Sequence, residues 1–473
     1  MITALPSTFW RNAAQQSSFK LHPIGRILLW VLIIATLEGA VRKWIWPGSA
    51  MVFLAIRDIL IAYGIMLGIS KRWLKMNSPT EALLLLWTVV VIVWGLTQVI
   101  LGLEPITVAI LGLRSWLLYI WFAWLCGRVL RPSDVHYILK TVALIMLPMA
   151  VLVVLQHFLP VGHWLNRQPE NDDPAKIFTV VAGIVRTTGT FTFVSGYAQF
   201  VGLATVPAFA MLAGQFNVIR KPWLRWMIVA ATLIGVMVSG SRQTIMYAGA
   251  VLIAAVFASF RVKRKGTFSR ALTMILVLLF LVGLLATVFS RAIEATETRF
   301  VAASHAESLV ARVSWMFIGT PETWVDMPWF GNGIGMGNNA AGSLLGRGLN
   351  VSFLLAENES DRIMLEGGLL GLAFLLFKGA IVVVGAAGAL RVLAFKGDML
   401  PFLLWSFTSV DLLTGQITAQ LTAHCFGWLT LALAWALTRD STTPRARFLR
   451  YLRGGRFQKI SAEAPTSNLA PVP

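Results

Sequence analysis

The chain is 473 residues long, 57% hydrophobic and only 13% charged, with a mean hydropathy of +0.73. No water-soluble core hides that much apolar sequence, so a soluble protein is excluded and a polytopic membrane protein is expected. The formal charge of +19 would suit a nucleic-acid binder, but the bases fall between apolar runs, where membrane topology accounts for them.

Runs of about 20 apolar residues cross a bilayer as helices. In chain order the sequence predicts about twelve, near 24–41, 51–69, 82–101, 107–130, 136–158, 195–215, 223–240, 244–260, 271–290, 363–390, 399–416 and 420–438. The expected fold is therefore all-α. A segment at 1–23 precedes a nine-helix membrane region at 24–290 with an outer loop at 160–194. A large outer loop at 291–361, a three-helix region at 362–438 and a basic tail at 439–473 follow. The first run lacks a small-residue cleavage site and reads as a retained helix. Cys126 and Cys425 sit in apolar runs with neither a disulfide framework nor metal spacing.

Lys and Arg set the orientation. With the N-terminus in the cytoplasm, most of the 40 bases fall on cytoplasmic segments, among them Lys71, Arg72 and Lys75, Arg128 and Arg131, and Arg220, Lys221 and Arg225. Both termini are then cytoplasmic, and the tail "RARFLRYLRGGRFQK" lies on anionic lipid headgroups.

The bases left on the outer side are Arg42, Lys43, Arg57, Arg114, Arg186, Arg242, Arg312 and Arg362. Arg57 and Arg114 fall inside spans, where a charge needs a partner or a watery cavity. Arginine binds phosphate with a planar fork, so a set of them at a membrane surface suits a lipid-linked pyrophosphate. Pairing with Glu38, Glu104 and Asp326 is the plainer alternative.

The segment "AENESDRIMLEGGLLGLAFLLF" enters the tenth run through Glu357, Glu359, Asp361, Arg362 and Glu366. Glu359, Arg362 and Glu366 share one helical stripe if a helix begins near Asn358, which could cap it, as could Ser360. Two readings stay open. The acids favour a positive helix N-terminus and neutralise Arg362, or they bring chemistry to the membrane surface. "GNGIGMG" lacks a preceding strand and fails the context of a nucleotide fingerprint. His163 and His305 lie in outer loops; Asp411 and His424 lie in or near the last two spans as possible buried partners. No histidine pair has zinc spacing.

"MPWFGNGIGMGNN" (Met327–Asn339) followed by "AENESDRIMLEGGLLGL" (Ala356–Leu372) resembles the signature of the O-antigen ligase and polymerase superfamily. Arg312 and Trp315, "RTTGTF" (Arg186–Phe191) and "SGSRQT" (Ser239–Thr244) are similar to further family segments, and "LEGAVRKWIWP" to a motif of polymerase-like members. The resemblance covers nearly the whole chain. It implies a GT-C-like membrane glycosyltransferase without metal or cofactor. The donor is an undecaprenyl-pyrophosphate-linked oligosaccharide at the periplasmic face of a bacterial inner membrane, and the acceptor is a glycan. Glu357 stands where many members carry His, nine residues before Glu366, while Asn358, Gly368 and Gly371 match the pattern.

On that resemblance Glu357 is the expected base, with Glu359 second. Arg362 and Glu366 assist. Arg186, Arg242, Arg312, Arg57 and Arg114 hold pyrophosphate, and Gly331, Gly333 and Gly335 shape the loop. A polysaccharide polymerase, with a chain-length regulator as a possible partner, is the first expectation. A ligase to lipid A core or another acceptor is the second. A secondary transporter of an organic anion or bicarbonate is the rival class.

Overall fold

The computed structural model describes residues 20–75, 78–168, 185–262, 309–345, 356 and 358–439, with isolated positions between 276 and 290; of these, the side chains of 309–313 and 343 are not described. Among the described residues the protein is all-α, and nine helices are long and apolar enough to cross a membrane.

In chain order the helices are α1 (Pro23–Trp44), α2 (Ala50–Ser70), α3 (Pro79–Ile100) and α4 (Ile106–Leu113). Helix α4 runs through one π turn at Arg114–Leu118 into α5 (Tyr119–Val129). Then come α6 (Pro132–Phe158), α7 (Val194–Leu212), α8 (Pro222–Val238), α9 (Arg242–Arg261), α10 (Leu309–Ile318), α11 (Pro321–Asp326), α12 (Ala341–Leu345), α13 (Glu359–Gly367), α14 (Leu369–Lys396), α15 (Leu400–Thr414) and α16 (Leu421–Thr438). Eleven of the twelve predicted spans correspond to these helices, two of them, α8 and α15, shorter than a full crossing. The ninth prediction, 271–290, lies outside the described residues, apart from isolated positions.

Start signals are local. Proline occupies the first turn of α1, α3, α6, α8 and α15, where its missing N–H is no loss. The Ser78 hydroxyl accepts from Glu81 N–H at the start of α3. Helices α7 and α16 form the centre: almost all of α7 is buried, packed against α6, α8, α9, α15 and α16. Helices α2, α3 and α14 keep most of their apolar side chains on the outside, as lipid-facing helices do.

One predicted boundary moves. The tenth span begins at Leu369 rather than at 363, because Gly368 (φ 56°, ψ −125°) breaks the chain direction between α13 and α14. The charged entry is a separate short helix.

Candidate functional site

Helix α13 carries Glu359, Ser360, Asp361, Arg362 and Glu366, and all five are buried. Each is tied to a different neighbour. Glu359 accepts from Thr418 N–H at 2.8 Å and from its hydroxyl at 3.1 Å, with Lys378 Nζ at 3.6 Å. Asp361 accepts from Thr320 N–H at 2.7 Å and from Asn358 Nδ2 at 3.0 Å. Ser360 donates to Met316 O. Arg362 donates to Ala356 O at 2.7 Å and Gly337 O at 2.8 Å. Asn358 stands at the N-cap of α13 without a side-chain cap bond. The simple neutralisation of Arg362 by Glu359 and Glu366 is not what holds this stripe. Its members reach out to the glycine-rich segment, the 415–420 turn and α14.

The glycine-rich segment closes on the end of α13. Asn332 N–H donates to Leu365 O at 2.7 Å, Gly333 N–H to Glu366 O at 3.2 Å, and Leu369 N–H to Trp329 O at 3.0 Å. The first two bonds use carbonyls that the end of α13 would otherwise leave unpaired, and the third pairs an N–H of the first turn of α14. The approach is close enough to demand glycine. A Cβ on Gly331 (φ 75°) would lie 2.1 Å from Glu366 O, and one on Gly368 2.2 Å from Trp329 O. Gly333 and Gly335 also hold positive φ, and Gly371 packs the first turn of α14 on Ile363 O. The loop-shaping expectation for these glycines is therefore given a geometry.

Two carboxyl groups flank the segment. Glu366 Oε1 accepts from Gly337 N–H at 2.7 Å, and Oε2 from the Trp116 indole at 3.2 Å. Burial pushes its pKa up to about 7, against the pull of the Gly335 and Gly337 amides and Trp116. Glu104, between α3 and α4, is 4% exposed and faces Gly333, whose added Cβ would come 2.7 Å from that of Glu104. Burial, and then the neighbouring charge of Glu366, raise Glu104 to about 9. Gln98 clamps the loop from α3: its Nε2 donates to Phe330 O at 2.5 Å and Glu366 O at 2.9 Å, and its Oε1 accepts from Ile334 N–H at 3.0 Å.

The turn at 415–420 closes the far side. Asn338 Nδ2 donates to Thr418 O, Asn339 N–H to Ala419 O, and Ser195 on α7 bonds Gln420. Glu104, Gln98, Trp116, Lys378 and Thr418 were not among the sequence-predicted site residues. The one available signal was the acid of "LGLEP" between two apolar runs.

The predicted arginines separate into groups. Arg57, fully buried, pairs with Glu38 at 3.0 Å, and Glu38 also lies 3.8 Å from Arg42. Arg114 donates to both oxygens of Asp58, at 2.5 and 2.9 Å, beside the Tyr119 hydroxyl. Both arginines are thus engaged in ion pairs between helices. Asp58 neutralises Arg114 rather than its neighbour Arg57.

Arg186 is half-buried in a segment bonded through Thr187 to Val238 O at the end of α8, and Arg242 opens α9 three residues after Ser239. Those two arginine-bearing segments meet at one bundle end. Lys43 holds the same segment through Thr188 Oγ1 at 2.5 Å and Gly189 O at 3.0 Å. Arg312 lies on α10, which packs on α13, and its side chain is outside the described residues, as is the whole of Glu357 and of His305. Asp411 accepts from Gln199 and Tyr247, each at 2.7 Å. The His424 ring lies edge-on to Tyr119, and His163 Nδ1 caps a single turn. Among the described residues no cluster of three or more His, Cys, Asp or Glu could hold a metal ion.

No protein-family model matches the chain, and no curated protein matches it.

Proposed function

We propose that the chain is a membrane glycosyltransferase that polymerises lipid-linked oligosaccharide repeats at the outer face of a bacterial inner membrane, both termini being cytoplasmic. The observation that carries this reading is the closure of the glycine-rich segment on Glu366 at a helix break, at the same bundle end as the Arg186 and Arg242 segments. That arrangement fits a fixed, partly dehydrated floor for a reaction at a membrane surface. It suits the resemblance to the O-antigen ligase and polymerase superfamily.

In the proposed reaction Arg186, Arg242 and Arg312 hold the pyrophosphate of the polyprenyl donor and stabilise charge on it as the glycosidic bond breaks. Glu357, one residue before the N-cap of α13, takes the proton of the acceptor hydroxyl. The hydroxyl oxygen attacks the anomeric carbon, the sugar–phosphate bond breaks, and polyprenyl pyrophosphate leaves with the electron pair. A single displacement inverts the anomeric centre. Arg362 and Glu366 are positioning residues that fix α13 against the loop. Arg57 and Arg114, engaged by Glu38 and Asp58, are left out of the pyrophosphate set. The test is surface polymer length in Glu357→Gln and Arg312→Ala cells. Short or absent polymer at normal protein level is expected, and normal polymer in both variants overturns the site.

A ligase acting on a different acceptor would use the same groups; transfer of a single repeat without elongation distinguishes it. A transporter is the second reading because Lys378, Glu359 and Asp411 are all buried charges in or beside spans. Counterflow of an organic anion in proteoliposomes, without any change in glycan, would favour it.

A further inference from the structure

We propose that the buried oxygens of Asp411, Gln199, Thr408 and Thr244, where α7, α9 and α15 meet, bind a sodium ion. The site lies apart from the glycine-rich loop and stands whichever reaction that loop serves.

Asp411 sits in the last turn of α15 and is fully buried. Its Oδ1 accepts from Gln199 Nε2 on α7 and from the Tyr247 hydroxyl on α9, each at 2.7 Å. Its other oxygen, Oδ2, has no hydrogen-bond partner. The bond to Oδ1 fixes the amide of Gln199, so that Gln199 Oε1 is carried beside the same carboxylate. That oxygen has no partner either. Thr408, three residues before Asp411, lies on the same face of α15, and Thr244, three before Tyr247, on the same face of α9. Both threonines are fully buried, and neither hydroxyl has a partner.

The three helices pack against one another at this junction. Gly202, one turn after Gln199, lets them close: a Cβ there would lie 2.5 Å from Phe407 on α15 and 2.9 Å from Tyr247 on α9. From α16, Gly427 faces Oδ2, and its added Cβ would lie 3.6 Å from that oxygen. The approach of the backbones makes the junction narrow, which suits a small cation.

Charge and bonding select the ligand. Buried polar atoms are rarely left without a partner, and here four oxygens from three helices share that condition. Asp411 Oδ2 and Gln199 Oε1 can only accept, so neither satisfies the other. A positive species between them satisfies both. Lys378 and Glu359 act on Asp411 in opposite senses, and they pair with each other at 3.6 Å. The negative end of α15 adds to the field at the carboxylate. An uncountered buried charge of this kind is costly. A single carboxylate with amide and hydroxyl oxygens matches a monovalent ion, whereas calcium sites gather more acids.

Position gives the ion a task. Gly415 N–H donates to Asp411 O at 2.8 Å as the 415–420 turn begins, and Thr418 in that turn holds Glu359. A cation on Asp411 ties α7 and α9 to the turn that supports α13.

The experiment is the melting temperature of the full chain in detergent at neutral pH, with sodium chloride replacing choline chloride at constant ionic strength. Sodium should raise the melting temperature of the wild type saturably. Asp411→Asn should abolish the response. Thr408→Val keeps the shape of the side chain and removes one oxygen. It should raise the half-saturating sodium concentration about tenfold, the effect of losing one bond to a charged group. This second variant carries the test if Asp411→Asn fails to fold. Identical melting of the wild type in sodium and choline overturns the proposal. So does an equal response to potassium, or a sodium response that Thr408→Val leaves unchanged.

Discussion

The indole of Trp116 donates to Glu366 Oε2 at 3.2 Å, joining the π turn between α4 and α5 to the short helix before α14. Glu366 takes its second bond from Gly337 N–H at 2.7 Å. One carboxylate thus fixes two distant segments against the glycine-rich loop. Trp116→Phe keeps the ring and removes the donor, leaving a buried acceptor unsatisfied at a cost of about 1–3 kcal/mol. Thermal unfolding in detergent should show the loss. Glu366→Gln paired with Trp116→Phe should lose less than the sum of the single changes.

Stability should depend on pH through the same carboxyl and its neighbour. Folding raises Glu366 from its ordinary 4.5 to about 7, and Glu104 from 4.5 to about 9. The folded state therefore binds extra protons between the ordinary and the raised values. Stability falls as pH rises through that window. Melting temperature should drop from about pH 5 to about pH 9, and Glu104→Gln should remove most of the drop above pH 7. A slope that is identical in Glu104→Gln and wild type would contradict the assignment.

Gly368→Ala should be the most damaging single-methyl change at the helix break. The residue has φ 56°, and an added Cβ would lie 2.2 Å from Trp329 O. A backbone at φ 56°, ψ −125° is sparsely populated by non-glycine residues and costs them about 1–3 kcal/mol, and the contact adds to it. Expression and melting temperature should both fall, whereas Gly379→Ala, which meets no atom within 4 Å, should be neutral. Equal behaviour of the two variants would show that the break is not held this way.

The Arg57–Glu38 pair predicts a compensating double change. Arg57→Met leaves a buried carboxylate without its closest partner, a loss of about 3–5 kcal/mol for a pair of this kind. Glu38→Gln in the same chain should restore much of it. The readout is the melting temperature of the four-protein cycle. If Arg57→Met alone abolishes function while stability is unchanged, Arg57 contacts substrate after all.

The spans were legible because about 20 consecutive apolar residues have few other uses. The charged entry at Glu359–Glu366 was legible as a helix through its spacing. Its burial was not, because the partners come from Thr418, Gly337, Thr320 and Trp116, all remote in sequence. The start of the tenth span was misplaced by the apolar Ile363, Met364 and Leu365, which belong to α13; only the backbone conformation of Gly368 separates the two helices. The pairing of Arg57 with Glu38 and of Arg114 with Asp58 follows from how α1, α2 and the π turn meet. Adjacent charges in sequence gave no clue to it. Glu104 was readable only as an acid between two spans. Its place beside Glu366 depends on the loop that both of them flank.

The central claim is most directly tested by reconstituting the purified chain in liposomes with an undecaprenyl-pyrophosphate-linked repeat and following chain length and free undecaprenyl pyrophosphate together. Polymer and free pyrophosphate lipid should accumulate in step with wild-type protein and fail to appear with Glu357→Gln. Unchanged lipid-linked repeat in the presence of folded wild-type protein, or equal polymer from Glu357→Gln, would contradict the proposed reaction.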